Sequence, residues 1–254
     1  MVYDAPLKLS SKSRQITEAV ILMAGSGSRL RGSDATFLKP LVPLLGRPLI
    51  SYTIEALANI GIETIHAVVG FQAEPLVAGL KRLARSDIHF HFIDNPEWQK
   101  QNGISVLVAA PHVSAPFLLT MSDHVFDDSI VDLLMESSDF SQLNLAIDKK
   151  LNSIFDLDDA MKVRTQGDRI VAIGKNLSPY DAVDVGLFIC PREMVDYLER
   201  AKRNGDCCLS DGVRLMATDD KVRGIDIGDA WWQDVDTPLM LRHAEEKLRS
   251  PARS

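Results

Sequence analysis

Short, apolar runs of strand length alternate with helix-length segments through the first half of the chain. Ala19 to Ala24 reads AVILMA and Phe117 to Met121 reads FLLTM, so nearly every position in both runs is apolar. Such strands are typical of a parallel sheet that is covered on both faces. Leu49 to Asn59 has helical periodicity and is followed by Gly61, a common helix stop. The alternation predicts βαβ units and a doubly wound sheet.

The second half is predicted to contain more strands. Short β-like runs lie at Leu143 to Ile147, Ile170 to Ile173 and Val183 to Cys190, and a closing helix is predicted from Thr237 to Leu248. The length of 254 residues fits one large α/β domain. We expect a flexible arm at 1–17 and one domain at 18–250, with a first half to about residue 140 and a second half from about 141.

Net charge, cysteine content and the length of apolar runs limit the functions and the cellular locations that are expected for this chain. The net charge of −7 argues against nucleic-acid binding, which needs a basic surface. Cys190, Cys207 and Cys208 are odd in number, and two are adjacent, which does not indicate a disulfide framework. No apolar run approaches the roughly 20 residues of a membrane span. We therefore expect a cytoplasmic protein that has no membrane span.

A glycine-rich turn directly follows the first predicted strand, in the sequence AGSGSRL from Ala24 to Leu30. Glycines allow a tight turn whose backbone N–H groups approach phosphate. The spacing fits neither the dinucleotide fingerprint nor the Walker loop. Taken alone, such a turn is more often only a turn. Arg29 and the following Lys39-Pro40 instead indicate two cations that close on a triphosphate.

Two acidic residues lie where predicted strands end. Asp123 follows the strand at Phe117 to Met121, and Asp234 follows a predicted strand at Trp231 to Gln233. Ligands of open α/β sheets bind at this carboxyl edge, and two carboxylates there can hold Mg²⁺ against phosphate oxygens. Either residue could instead cap the next helix. For Asp236, directly before the closing helix, capping is the favoured interpretation.

Several segments together resemble the sugar-phosphate nucleotidyltransferase superfamily and, within it, the CTP:inositol-1-phosphate cytidylyltransferases. The opening motif AGxGxRL with KPLV at Lys39 and GRPLI at Gly46 is similar to the superfamily. The segments similar to the inositol branch are NGISVLVA from Asn102, LLTMSDHV from Leu118, IGKNL from Ile173, VDVGLF from Val183 and WQDVDT from Trp232. They extend over nearly the whole chain.

The resemblance implies a three-layer α/β/α fold, with a mixed, mainly parallel sheet and an acceptor-binding β subregion in the second half. It implies a cytidylyltransferase that uses CTP, Mg²⁺ and a phosphorylated acceptor, most closely inositol 1-phosphate. Arg29 and Lys39 would be catalytic, and Asp123 and Asp234 would hold the metal. The expected nucleotide-binding residues are Ala24, Gly25, Ser26, Gly27, Ser28, Asn102, Gly103 and Ser105, and the expected acceptor-binding residues are Lys162, Lys175, Asp184 and Gly186.

Some alternatives stay open at this point. His124 could be a general base, although a structural role is favoured. Trp231 and Trp232 could stack on a ring, although one core anchor and one partly exposed ring are favoured. The acceptor could be a sugar 1-phosphate, a phosphonate or phosphocholine, and another triphosphate could replace CTP. A non-catalytic nucleotide-binding regulator is a more distant alternative. Some archaeal relatives continue into a membrane-embedded transferase domain, so a separate transferase of that class is an expected downstream partner.

Overall fold

One nine-stranded sheet organises the computed structural model, which describes residues 16–31 and 36–249. Its order is β5-β4-β1-β6-β11-β8-β12-β10-β9, and β7 and β13, like β2 and β3, form separate two-stranded pairs. The strands are β1 Glu18–Leu22, β2 Pro43–Leu44, β3 Arg47–Pro48, β4 Thr64–Val69, β5 His89–Asp94, β6 Phe117–Met121, β7 His124–Phe126, β8 Leu143–Asp148, β9 Lys162–Gln166, β10 Arg169–Gly174, β11 Ala182–Cys190, β12 Val222–Asp226 and β13 Trp232–Asp234.

The first half of the sheet is parallel and the second half is mixed. Strands β5, β4, β1 and β6 run in parallel, whereas β11 runs antiparallel to both β6 and β8. Strand β8 therefore points the same way as β1 and β6. The carboxyl ends of these three strands meet at one edge of the sheet, and this edge carries the site.

Helices cover both faces of the sheet. They are α1 Ser28–Arg31, α2 Leu49–Asn59, α3 Ala73–Lys81, α4 Asn102–Ala109, α5 Ser129–Ser137, α6 Met194–Ala201, α7 Leu209–Thr218 and α8 Pro238–Arg249. Buried residues of α2, α3 and α5 share one core cluster, and those of α4, α6 and α7 share another. Strand β1 contributes Val20 and Leu22 to one cluster and Ala19 and Ile21 to the other. The predicted α/β/α layers and the doubly wound arrangement are confirmed.

Several predicted elements match the structure closely. Helix α2 and strand β6 have the predicted bounds, and Gly61, at a φ of 89°, ends the turn after α2. The closing helix begins at Pro238, and the Thr237 hydroxyl accepts a hydrogen bond from the backbone N–H of Met240 at 3.2 Å. Thr237 is therefore the predicted cap.

Other expectations need correction. Residues 1–15 of the expected arm lie outside the described residues, but Ile16 is buried and the Thr17 carbonyl accepts hydrogen bonds from the N–H groups of Glu63 and Thr64. The last two residues of the expected arm are therefore fixed to the sheet. Strand β7 and helix α5 were not predicted. The division of the domain into two functional halves stays a prediction.

Candidate active site

The glycine turn and Lys39 are fitted to each other. Gly27 has a φ of 58°, and a Cβ added there would lie 2.8 Å from Cβ of Lys39. Only glycine combines this backbone conformation with so close an approach. At Gly25, by contrast, an added Cβ would meet nothing within 4 Å, so the outer side of the turn is open. The turn therefore packs on Lys39 from one side and is free to receive a ligand on the other.

Lys39 lies between two carboxylates at the carboxyl edge of the sheet. Its side chain is 9% exposed; its Nζ is 2.6 Å from Oδ2 of Asp123 and also pairs with Oδ1 of Asp236. Burial disfavours the ammonium, but the two carboxylates outweigh this effect and raise the pKa of Lys39. Lys39 is therefore a fixed positive charge beside the glycine turn.

The expectation that Asp236 caps the closing helix is wrong. Its carboxylate pairs with Lys39 and with Nη2 of Arg29, and Thr237 provides the cap instead. The other Nη of Arg29 lies 2.7 Å from Asp159. Partial burial opposes the charge on Arg29, but Asp159 and Asp236 raise its pKa. Asp236 thus joins the two cations that the sequence predicted.

Asp123 and Asp234 come together although they are far apart in sequence. In the β7–β13 pair Asp234 lies opposite His124, and the Val235 N–H donates to the carbonyl of Asp123 at 2.8 Å. Burial opposes the charge on Asp123, but Lys39 and His124 hold its pKa well below the usual range. Burial and the nearby Asp236 and Asp123 carboxylates raise the pKa of Asp234. The edge thus concentrates several carboxylates around Lys39 and Arg29.

This donor set fits a hard cation such as Mg²⁺, which prefers oxygen ligands and shares them with substrate phosphates. Within residues 16–31 and 36–249, no group of three or more His, Cys, Asp or Glu side chains is arranged to hold a metal ion by itself. One or two carboxylates, completed by phosphate oxygens, are the arrangement that Mg²⁺ commonly uses in nucleotide enzymes.

His124 is a positioning residue for Asp123. Its Nδ1 lies 2.7 Å from Oδ1 of Asp123, and its ring stacks on Trp232 at 6.0 Å between centroids. A Cβ added to Gly186 would lie 2.5 Å from its Nε2, so only glycine leaves room for the ring. Burial lowers the pKa of His124, but the hydrogen bond to Asp123 and the nearby carboxylates raise it overall. The favoured structural role fits these contacts.

Three adjoining cavities open at this edge. One of about 320 Å³ is lined by the glycine turn, Lys39, Trp98, Ser105 and Asp123. One of about 530 Å³ is lined by Lys175, Asp184, Gly186, Trp231 and Trp232. These two share Arg29, Asn102, Met121 and Asp236, so the charged groups lie where they meet. A third, of about 590 Å³, adjoins the second at Lys175 and Asp184.

Most of the predicted ligand residues line the cavities. Ala24, Gly25, Gly27 and Ser28 line the smallest cavity, and Ser26 lies in the same turn without lining it. Asn102 lines all three, and its Oδ1 also accepts a hydrogen bond from the N–H of Leu209 at 2.8 Å.

Asp184 is a partly buried carboxyl on the wall of the second cavity. Burial raises its pKa to about 6, although the Gly186 N–H donates a hydrogen bond to it at 2.7 Å. A carboxyl of this kind can accept hydrogen bonds from hydroxyl groups of a ligand.

Two predicted residues have other contacts. A Cβ added to Gly103 would lie 2.6 Å from the Cys207 carbonyl oxygen, so this glycine allows the close approach of α4 to the segment before α7 and does not line a cavity. Lys162 is 8% exposed, and its Nζ donates to the Asp158 carbonyl at 2.6 Å. It supports the β8–β9 loop in this structure and lines none of the three cavities. Neither residue lines one of the three cavities, and nucleotide binding by Gly103 and acceptor binding by Lys162 stay predictions.

Sequence reasoning missed Asp148, Asp159 and Asp236. Asp148 ends β8 at the same edge, is 2% exposed, and accepts a hydrogen bond from Nε1 of Trp232 at 3.0 Å. The rule that was applied to Asp123 would have found it. Trp231 and Trp232 are both partly exposed, both line the second cavity, and each packs against a core cluster, so the expected division into one core anchor and one partly exposed ring does not hold.

The fold and the site together define the class of protein as a nucleotidyltransferase. The sheet is covered by helices on both faces, and its carboxyl edge carries a glycine turn and cations paired with carboxylates. The chain belongs to the family of the MobA-like NTP transferase domain, whose model matches residues 19–206. The resemblance that the motifs indicated is confirmed.

Named relatives refine this placement. A "Bifunctional IPC transferase and DIPP synthase" of Rubrobacter xylanophilus is 34% identical over 238 residues, which are 92% of this chain and 52% of the relative. A protein of the same name from Archaeoglobus fulgidus is 30% identical over 97% of this chain and 46% of its own length. The chain thus spans about half the length of these relatives.

The solved structures show the same fold. The inositol-1-phosphate CTP transferase from T. maritima matches with a TM-score of 0.81 and 24% identity, over 94% of this chain and 99% of the other.

Within the described part of the chain, no helix combines the length and the apolar character that crossing a membrane would require. Cys190, Cys207 and Cys208 are free thiols.

Proposed function

We propose that this chain transfers a cytidylyl group from CTP to inositol 1-phosphate and releases pyrophosphate and CDP-inositol. The observation that carries the proposal is Lys39, which lines the smallest cavity beside the glycine turn and pairs with Asp123 and with Asp236, a residue that lines both this cavity and the second one. A buried cation next to the junction of the two cavities supports transfer of a phosphoryl group between ligands bound in them. The names of the relatives and of the T. maritima structure support the choice of CTP and inositol phosphate.

In the proposed reaction an acceptor phosphate oxygen attacks the α-phosphorus of CTP. The new P–O bond forms as the bond to the bridging oxygen breaks, and that oxygen leaves with pyrophosphate. The phosphate is already a nucleophile, so the chain mainly positions the two substrates and neutralises charge. The glycine turn would bind the β- and γ-phosphates through its N–H groups, Arg29 would bind the leaving group, and Lys39 would stabilise charge at the α-phosphate.

Asp123 and Asp234 would hold Mg²⁺, which supplies positive charge to neutralise the phosphate oxygens. Lys175 would bind the acceptor phosphate, and Asp184 would accept hydrogen bonds from acceptor hydroxyls. Asn102 and Ser105 would line the base side of the nucleotide cavity. Lys162 would hold the β8–β9 loop, and Gly186 would leave room for His124.

We propose a cytoplasmic reaction, which the three free thiols support. The product would then be the substrate of a DIPP synthase, the second activity in the relatives' names. A partner of that class is therefore proposed for this chain.

A matrix of substrates tests the function. The four ribonucleoside triphosphates are each combined with inositol 1-phosphate, glucose 1-phosphate and phosphocholine in the presence of Mg²⁺, and pyrophosphate release is measured. We expect the fastest release with CTP and inositol 1-phosphate, together with a product of the mass of CDP-inositol. Preference for another pair would reassign the substrate. No release with any pair would favour a nucleotide-binding regulator, and Lys39→Ala provides the background rate.

A further inference from the structure

Asp159 connects the two sides of the cleft. Its Oδ2 lies 2.7 Å from Nη1 of Arg29, on the nucleotide side, and its Oδ1 pairs with Nζ of Lys175, on the acceptor side. Partial burial opposes the charge on Asp159, but the hydrogen bonds from Lys175 and Arg29 lower its pKa. One carboxylate therefore occupies the two cations that we assign to the phosphates of two different substrates.

Asp159 belongs to the β8–β9 loop, residues 149–161, which forms one wall of the acceptor cavity. Within this loop Phe155 stacks on His243 of α8 at 4.5 Å between centroids. Lys150 donates to the carbonyl of Ala230 at 3.2 Å. The loop is thus anchored at its start and middle by other contacts, and the Asp159 pairs fix its last part across the cleft.

Both cations that pair with Asp159 are exposed. The side chains of Arg29 and Lys175 are 54% and 53% exposed, whereas that of Lys39 is 9% exposed. Exposed ion pairs are weak, because water screens them. A phosphate group, with more charge and more acceptor oxygens, would displace Asp159 from Arg29 or Lys175 far more easily than it would separate Lys39 from Asp123.

We propose that Asp159 is a positioning residue that latches the β8–β9 loop to both substrate sites, and that substrate phosphates displace it. The inference rests on the proposed function for the identity of the second substrate. The first ligand to bind displaces Asp159, and this displacement costs free energy. Because one carboxylate holds both cations, the second ligand then binds without that free-energy cost. Binding of the triphosphate and of the acceptor is therefore cooperative, by a factor equal to the latch equilibrium.

The size of the effect follows from two exposed ion pairs. Each contributes little, so we expect each substrate to bind about three- to tenfold more tightly when the other is present. In Asp159→Asn the latch is absent. Each substrate alone should then bind about three- to tenfold more tightly than to the wild type, and the presence of the other should make no difference.

Hydrogen exchange of the ligand-free protein tests the latch without any choice of acceptor. We expect faster exchange in residues 151–160 of Asp159→Asn than in the wild type, and restored protection in Asp159→Glu. Asp158→Asn is the matched control, because this neighbour makes no side-chain ion pair within the described residues. Magnesium pyrophosphate, a product of any nucleotidyl transfer, should increase exchange in the wild type and not in Asp159→Asn. Equal exchange in the wild type and Asp159→Asn would overturn the proposal.

Calorimetry then measures the cooperativity, with α,β-methylene-CTP as the unreactive nucleotide and inositol 1-phosphate as the acceptor. Loss of the coupling in Asp159→Asn and its retention in Asp158→Asn support the latch. Retention of the coupling in both variants would refute it. If inositol 1-phosphate fails to bind the wild type while the exchange results hold, the proposed acceptor is wrong and the latch stands.

Discussion

Two clusters at opposite edges of the same sheet combine carboxylates with histidine, and the pKa of one histidine in each is shifted in opposite directions. At the carboxyl edge, one imidazole faces several carboxylates. Burial disfavours the charge on His124, but Asp123, Asp234 and Asp184 outweigh burial and raise its pKa. This cluster is built to hold positive charge.

At the amino edge, several imidazoles share one carboxylate. Glu18 of β1 lies 2.7 Å from Nε2 of His66, and the Nδ1 atoms of His66 and His91 are 3.1 Å apart. The ring of His112 lies 5.1 Å from that of His91. Burial and the neighbouring imidazoles lower the pKa of His91. The pKa of His124 is raised where carboxylates surround the ring, and that of His91 is lowered where burial and other imidazoles surround it, so the charges near a histidine contribute to the direction of its shift.

The largest effect is expected when Lys39, the buried cation of the carboxyl edge, is removed. We expect Lys39→Ala to lower turnover by roughly two to three powers of ten, the scale of losing one preorganised charge donor. Pyrophosphate release measures it, and Lys81→Ala on the exposed end of α3 is the control. An unchanged turnover in Lys39→Ala would mean that another residue neutralises the α-phosphate.

Substitution of the two proposed metal ligands, Asp123 and Asp234, should have the same effect on activity but different effects on stability. Both Asp123→Asn and Asp234→Asn should abolish pyrophosphate release, because each removes a charge without changing volume. Their stabilities should diverge, since the pKa of Asp123 is lowered and that of Asp234 is raised. At pH 7 we expect Asp123→Asn to melt at a lower temperature than the wild type, and Asp234→Asn to melt at the same or a higher temperature. Near-normal turnover in both variants would remove the metal hypothesis.

The ionised Asp184 side chain should lower the free energy of unfolding at neutral pH. Its pKa is about 6 in the folded protein, above the ordinary value of 3.8, so the folded state holds the proton more tightly. Stability therefore falls as the pH rises from about 4 to about 6, and the cost is complete above that range. We expect Asp184→Asn to gain about 1–2 kcal/mol at pH 7.5, less than the full shift because the side chain is partly exposed.

Urea unfolding at pH 7.5 and at pH 4 measures this effect. The gain of Asp184→Asn should be lost at the lower pH, and the KM for the acceptor should rise. Asp181→Asn serves as the control for removal of an exposed charge, because Asp181 lies directly before β11 and an asparagine there can still accept the 2.8 Å hydrogen bond from the Thr165 N–H. An equal gain at both pH values would show that packing rather than ionisation is responsible.

The sequence predicted the parts of the site that local patterns encode. Gly27, Arg29 and Lys39 follow from one turn and its neighbours, and Asp123 follows from the end of a buried strand. The role of Asp236 could not be predicted, because the capping rule sees only the next helix, whereas Lys39 lies 197 positions away. Asp159 was missed for the same reason, since its partners are Arg29 in the glycine turn and Lys175, the residue directly after β10.

The missed elements have different causes. The apolar residues of α5, Ile130, Val131 and Leu134, have helical spacing and could have been recognised. Strand β7 is three residues long and exists because it pairs with β13, which lies about a hundred residues further along the chain. A strand of that length has no periodicity to detect. Long-range pairing, rather than composition, therefore builds the part of the site that brings Asp123 and Asp234 together.

The smallest expected effect tests the amino edge. Because the pKa of His91 is lowered, the unfolded chain takes up a proton at a higher pH than the folded protein does, and stability falls as the pH drops below about 6.5. His91→Asn keeps a donor near the Nδ1 position but cannot be protonated. Between pH 7.5 and 5.5 we expect it to lose less stability than the wild type, by a few tenths of a kcal/mol, since the ring is partly exposed. Urea unfolding at both pH values measures the difference, with His243→Asn as a second site of lowered pKa that lies outside the cluster. If His91→Asn lost as much stability as the wild type, folding would not lower the pKa of His91, and the contrast between the two edges would rest on His124 alone.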